Sequence, residues 1–254
     1  MLDLQGLKLR AALMRLVRTF FHQQGFLEVD TPIRQPVLLP ESNIRPINSD
    51  SWFLQTSPEQ CMKRILARGR ANIFQICTCF RADEKGAWHL EEFTMLEWYR
   101  IDGDYIDLMA DCQELLRYLK ESLIGQAEFR DTVAGSCIGT MPLEAEWERI
   151  TVAEAFARWG SLPLDAALEA DRFDELVAIE IEPRLGLSKP SFLYDYPAVC
   201  ASLARLKKDD FSLAERFEFY VNGMELANGF SELTDADEQR VRFEEELDRI
   251  EQRE

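Results

Sequence analysis

The stretch Glu215-Arg216-Phe217-Glu218-Phe219-Tyr220-Val221-Asn222-Gly223-Met224-Glu225-Leu226-Ala227-Asn228 decides the fold. β-Forming residues fill Glu215 to Val221, and a second such run follows from Met224 to Asn228. Asn222-Gly223 between them is the favoured two-residue hairpin turn, whose central positions need positive φ. Working outward, Asn72 to Phe80 alternates and is rich in β-formers, Arg81 to His89 is polar and contains Gly86, and Leu90 to Ile101 returns as strand. That is a second hairpin, with a long loop. Phe192 to Tyr196 reads as a strand before Pro197, while Phe26-Leu27-Glu28-Val29 and Trp52-Phe53-Leu54-Gln55 read as short strands.

Helical periods surround these runs. Leu9, Leu13, Leu16 and Phe20 form one apolar stripe, closed by Gly25 as a C-cap. In Ser57-Pro58-Glu59-Gln60, Ser57 is expected to cap, Pro58 to take the first helical position and Gln60 to complete a capping box, for a helix running to Arg68. Leu108, Met109, Cys112, Leu115, Leu116 and Leu119 make another stripe. Thr151-x-x-Glu154 opens a helix with a capping box, a further one covers about 165–181, and a charged one starts at Asp235. Residues 35–50, with Pro36, Pro40 and Pro46, form a loop, and 125–142 is irregular. The order implies an α+β class, an antiparallel sheet flanked by helices, and not a parallel βαβ fold.

The 254 residues suit one large domain or two small ones, and 46% apolar with 30% charged residues is ordinary globular composition. No apolar run is long enough to span a membrane, and Met1-Leu2-Asp3-Leu4-Gln5 lacks a signal peptide's basic start. A formal charge of −17 repels phosphate backbones and argues against nonspecific nucleic-acid binding, though a local basic site stays open. The six cysteines (61, 77, 79, 112, 137 and 200) read as reduced cytoplasmic thiols. With only His22 and His89, neither a zinc site nor a Ser-His-Asp arrangement is offered.

Charged residues on strands carry the chemistry. Glu97 and Tyr99 share a parity and hence a sheet face. Ionised groups on strands are expensive unless paired or bound to a ligand, so the Glu cluster calls for a cation, an ammonium group or a metal. The alternative for each Glu alone is a solvated face with surface ion pairs; it weakens because aromatics flank the charges on every such segment. Glu225 and Asn228 bracket Ala227 and precede Gly229, which is expected to admit a ligand close to the backbone.

Taken together, Gly25-Phe26-Leu27-Glu28-Val29-Asp30-Thr31-Pro32, Thr56-Ser57-Pro58-Glu59, Phe80-Arg81 through Glu92-Phe93-Thr94-Met95-Leu96-Glu97-Trp98-Tyr99, and Glu215-Arg216-Phe217-Glu218 through Glu225-Leu226-Ala227-Asn228-Gly229-Phe230-Ser231-Glu232 are specific. With them the sequence resembles the catalytic core of class II aminoacyl-tRNA synthetases of the lysine type. It is similar more closely to their small paralogues, the elongation factor P (R)-β-lysine ligases, or lysyltransferases. The resemblance implies a six- or seven-stranded antiparallel sheet and a homodimer formed around the Pro32 segment.

It also implies ATP and Mg²⁺. Arg81 is the implied catalytic residue, expected to contact the α-phosphate and the amino acid carboxylate. Asp83, His89, Phe93, Glu225 and Leu226 complete the ATP contacts, with Phe93 stacked on adenine. Glu218 and Glu225 are the implied Mg²⁺ ligands, and Ser57, Glu59, Glu97, Tyr99, Asn228 and Glu232 the pocket for lysine or β-lysine. The plainer readings are a core aromatic for Phe93 and a solvated loop residue for His89. The implied reaction is attack of a carboxylate on the ATP α-phosphorus, then transfer from the adenylate to a lysine of elongation factor P.

Asp83 stands where the family has Glu, with Glu84 following, and Leu90 and Glu91 stand where Asn and Pro are usual. Residues 1–254 are expected to form a single catalytic domain without the family's C-terminal third motif and without an anticodon-binding domain. With the acidic charge, this favours a protein acceptor over tRNA. The rival readings are a lysyl-tRNA synthetase or its fragment, and a non-catalytic paralogue that senses amino acid or binds a partner.

Overall fold

Asn222 and Gly223 take φ of 54° and 71°, so the pair closes the hairpin as its chemistry requires. The computed structural model describes residues 3–252. In chain order the elements are α1 (Leu4–Gln23), β1 (Leu27–Glu28), β2 (Arg34–Gln35), β3 (Asn48–Ser49), β4 (Trp52–Leu54), α2 (Glu59–Leu66), β5 (Ile73–Phe80) and β6 (Glu92–Tyr99). Then come α3 (Tyr105–Ile124), α4 (Arg130–Ala134), α5 (Cys137–Thr140), β7 (Glu148–Thr151), α6 (Val152–Trp159), α7 (Leu164–Glu169) and α8 (Phe173–Leu176). The last are β8 (Ser191–Pro197), β9 (Leu213–Val221), β10 (Met224–Phe230) and α9 (Ala236–Glu251).

The chain packs into two compact units, one of residues through Val17 with Gly103–Thr234, the other of Arg18–Asp102 with Asp235 onward. In the first unit β10-β9-β8-β7 form a four-stranded sheet, antiparallel except for the parallel β7–β8 pair. Ile150, Phe156, Leu176, Ile181, Leu193 and Tyr220 are buried together where α6 and α8 cover this sheet. Leu9, Leu13 and Leu16 of the α1 stripe pack on Leu123, Phe129 and Val133. In the second unit β1-β5-β6 form a three-stranded sheet, with β1–β5 parallel and β5–β6 antiparallel, and β2-β4-β3 form another. Its core is aromatic: Phe21 stacks on Phe74 with centroids 4.9 Å apart and meets Phe26 edge-on at 5.2 Å. The fold is α+β with antiparallel-rich sheets, as the order of elements requires.

Several local expectations need correction. The α2 capping box is not formed: Pro58 itself stands at the N-cap in helical φ/ψ, and no side chain caps. Ser57 Oγ only accepts a long contact, 3.4 Å, from the Glu59 amide. The box at Thr151 and Glu154 does form, with both reciprocal bonds. The helix expected over 165–181 breaks at Asp171, which takes φ of 53°, into α7, α8 and a π-turn over Val177–Ile181. Residues 125–142 hold two short helices, α4 and α5. Gly229 does not open the backbone to a ligand. A Cβ there would come within 2.6 Å of the Phe217 ring, so the glycine makes room for a buried aromatic across the ladder.

Candidate functional site

In the second unit the β5–β6 register sets Gln75 opposite Glu97, Cys77 opposite Met95 and Cys79 opposite Phe93, so these side chains share one sheet face. Tyr99 lies two residues beyond Glu97, and its hydroxyl donates to Glu97 Oε1 at 2.7 Å. Arg81 follows the end of β5. Its Nε donates to the Thr56 carbonyl at 3.3 Å, its guanidinium lies 5.2 Å from the Phe93 ring centroid, and Glu84 Oε1 is 3.7 Å from it. The arginine is therefore aimed before any ligand arrives, and Phe93 is half-buried with one face against it. Glu59 on α2 pairs with Lys63 one turn later, Nζ to Oε1 2.6 Å.

Asp83 points elsewhere. It takes φ of 64°, and its carboxylate pairs with Arg45 at 2.5 Å, both exposed. Its amide donates to Glu91 Oε1 at 3.0 Å. The carboxylate beside Arg81 is that of Glu84. His89 is exposed in the loop, its carbonyl accepting from the Gly86 amide at 3.2 Å.

Glu41 belongs with this cluster and was not singled out from the sequence. Its loop is tied to α9, where Glu246 Oε2 accepts from the Ser42 amide at 2.9 Å. Removal from water, then the charge of Glu59, push the Glu41 carboxyl from 4.5 up to about 7, against the pull of Arg81. Removal from water and Glu59 likewise push Glu97 up to about 8, against the Tyr99 hydrogen bond. Carboxyls held protonated by burial and by the Glu59 charge are poised to ionise when a cation enters.

In the first unit, β9 and β10 present a second cluster. Glu225 pairs with Tyr220, Ala227 with Phe219 and Asn228 with Glu218, so the ladder bulges at Leu226. Without that extra residue Glu225 and Asn228 would face opposite ways. With it, both lie on the face of Glu218 and Tyr220. Leu226 itself is 45% exposed. Glu218 is buried and held by three donors: Arg216 at 2.8 Å, Tyr220 at 2.5 Å and Asn228 at 3.2 Å. Arg216 also donates to the Cys200 carbonyl at 2.8 Å and lies 4.4 Å from the Tyr196 ring centroid.

Glu182, in the turn Glu182–Arg184, joins this group, with its Oε1 3.2 Å from the Tyr220 hydroxyl. Carboxylate oxygens of Glu182, Glu218 and Glu225 lie within 4.8 Å of one another. An all-oxygen set suits hard Mg²⁺, which prefers carboxylates and bridges them to phosphates. Burial and the nearby Glu218 charge push the Tyr220 hydroxyl well up, so it remains a donor. Nothing local marks Glu182 in the sequence. Glu232 is half-buried beyond β10, in an isolated bridge to Ala204. Asn228 is thus placed on the Glu218 cluster, while Glu59, Glu97 and Tyr99 are brought together in the other unit.

The profile of the tRNA synthetases class II (D, K and N) matches residues 4–254. The elongation factor P (R)-β-lysine ligase of Mannheimia succiniciproducens is 42% identical over 246 residues, 92% of this chain and 75% of that protein. The protein of that name from Sodalis glossinidius is 38% identical over 250 residues, 93% and 76% of the two chains. That from Salmonella gallinarum is 40% identical over 255 residues, again 93% and 76%.

Proposed function

The chain belongs to the class II tRNA synthetases of the D, K and N type, and from that premise we propose that it is an AMP-forming ligase that activates (R)-β-lysine with ATP and transfers it to a lysine of elongation factor P. The names of its relatives support the substrate and the acceptor. The observation that carries the reading is the Glu41, Glu59 and Glu97 cluster, with Tyr99 hydrogen-bonded to Glu97, on the unit that also aims Arg81. A diamino acid needs counter-charge for its ammonium groups and a cation for its carboxylate, and this unit supplies both.

Each group has a defined task. Glu97, oriented by Tyr99, and Glu59 take an ammonium of the substrate, and Ser57, next to Glu59, adds a hydroxyl contact. Glu41 and Glu97 give up protons as the cation enters. Asn228, in the other unit, holds the Glu218 carboxylate, and Glu232 lies beyond β10 of that unit. Arg81, whose guanidinium fork stays charged, draws the substrate carboxylate and the ATP α-phosphate together and neutralises charge as one oxygen attacks phosphorus and pyrophosphate leaves. Phe93 offers its free face to adenine, and His89, in the loop that follows Arg81, contacts the nucleotide; Asp83, turned to Arg45, takes no part. Glu218 and Glu225, with Glu182, would hold Mg²⁺, which when bound neutralises the phosphates. The acceptor lysine amine then attacks the acyl carbon, AMP departs and the amine loses a proton. We place the reaction in the cytoplasm and the enzyme as a homodimer through α1 and the Val29-to-Pro36 segment; no helix among the described residues is long and apolar enough to cross a membrane.

The test is transfer of radiolabelled (R)-β-lysine in the presence of ATP and Mg²⁺, with elongation factor P and tRNA offered in parallel. Label is expected on the protein acceptor. Label on tRNA and none on elongation factor P would overturn the proposal.

A further inference from the structure

Cys77 and Cys79 stand two residues apart on β5, so the pleat sends both thiols to one face. Their sulfurs are 3.8 Å apart. Met95 of β6 is the cross-strand partner of Cys77, and its Sδ lies 4.0 Å from Cys79 Sγ. Both thiols are free of disulfide. A three-coordinate ion with metal–sulfur bonds of about 2.3 Å spaces its sulfurs about 4 Å apart. Thiolate and thioether donors together select soft cations such as Cu(I), whereas zinc sites draw on thiolate, imidazole and carboxylate.

We propose that Cys77, Cys79 and Met95 form a binding site for a soft monovalent cation of the Cu(I) type on one face of the β5–β6 hairpin. Cys79 is fully buried and Cys77 half-buried, so the site has a fixed floor and one side of approach. The Cys79 thiol, and after it the buried amides of Gln55 and Gln75, are hydrogen-bond partners of Cys77 and favour its thiolate. Binding replaces the thiol protons by the metal and releases them to solvent, with no change of oxidation state. Glu97 raises the Cys79 thiol through its charge and is itself raised by Cys77, so the bound cation sits near the carboxylate assigned above to the substrate ammonium. Competition with a diamino acid rests on that assignment; metal binding does not.

The test is anaerobic titration of the full chain with Cu(I) alone against a chromophoric Cu(I) chelator, following the copper–thiolate charge-transfer band. One equivalent is expected. Cys77→Ala and Cys79→Ala should each lose more than about 100-fold in affinity, since even outer contacts to a metal cost about 10–100-fold. Met95→Leu, which keeps volume and tests the site even where a cysteine variant folds poorly, should lose about tenfold. Cys61→Ala and Cys137→Ala should bind as the parent does. Parental affinity in Cys77→Ala or in Met95→Leu would overturn the site.

Discussion

Replacing Glu97 by Gln should stabilise the free protein in alkaline solution and weaken its hold on a diamino acid. The folded carboxyl titrates near 8 against 4.5 when unfolded, chiefly because protein atoms replace its water and secondarily because Glu59 repels its charge. A raised carboxyl adds stability in full below its unfolded value, and loses it as pH rises through its folded value. The cost of ionised Glu97 therefore builds up between pH 4.5 and about 8. Each factor of ten in proton affinity is worth about 1.4 kcal/mol, which caps the penalty near 5 kcal/mol. Glu97 is half-buried and shares part of the effect with Glu59, so about 2 kcal/mol is the expected gain for Glu97→Gln at about pH 9, and close to none at about pH 4.5. The amide oxygen still accepts from Tyr99. Binding of lysine or (R)-β-lysine at the higher pH should weaken by ~1.5–3 kcal/mol, the scale of a charged hydrogen bond. Urea unfolding at the two pH values reads the first effect and calorimetric titration the second. A stability change equal at both pH values, or unchanged ligand affinity, would refute the reasoning.

Arg216→Ala should destabilise by about 3–5 kcal/mol in urea unfolding, because it strands the buried Glu218 charge and empties the space over Tyr196; a loss below about 1 kcal/mol would show that Glu218 needs no partner. Gly229→Ala should cost about 1–3 kcal/mol by forcing the Phe217 ring aside, read as a lower midpoint with unchanged denaturant slope. Glu182→Gln should raise the Mg²⁺ concentration that half-saturates pyrophosphate exchange, without changing the stability of the metal-free chain by more than about 1 kcal/mol; an unaltered Mg²⁺ dependence would remove Glu182 from the cluster. Calorimetric binding of (R)-β-lysine near neutral pH should release protons from Glu41 and Glu97, so the apparent enthalpy should vary with the ionisation enthalpy of the buffer; equal enthalpies in two buffers would contradict it.

Local chemistry was readable where it is decided by neighbours in the chain. Asn222-Gly223 forms its turn because few other pairs accept positive φ twice, and Thr151 with Glu154 forms its box because the partners are one turn apart. Glu97 and Tyr99 meet because a strand has a period of two. The reading failed where a competing local term won. Pro58 occupies the cap position that Ser57 was expected to hold, and Asp171 in the left-handed region breaks a pattern that reads as one helix.

The sequence by itself determined the α+β class, both hairpins and the segments that carry the family resemblance. Each of these depends on spacing along the chain and on the chemistry of adjacent residues. Only the tertiary structure decided which charged groups act together. Glu41 lies in a proline-rich loop and Glu182 in a short turn, and neither has a local signal, since their partners lie far away in sequence. Parity puts Glu225 and Asn228 on opposite faces; the bulge at Leu226 reverses this and turns both toward Glu218. A bulge is set by how two strands settle their register over a core, a balance of packing across the whole sheet that no window of neighbouring residues contains.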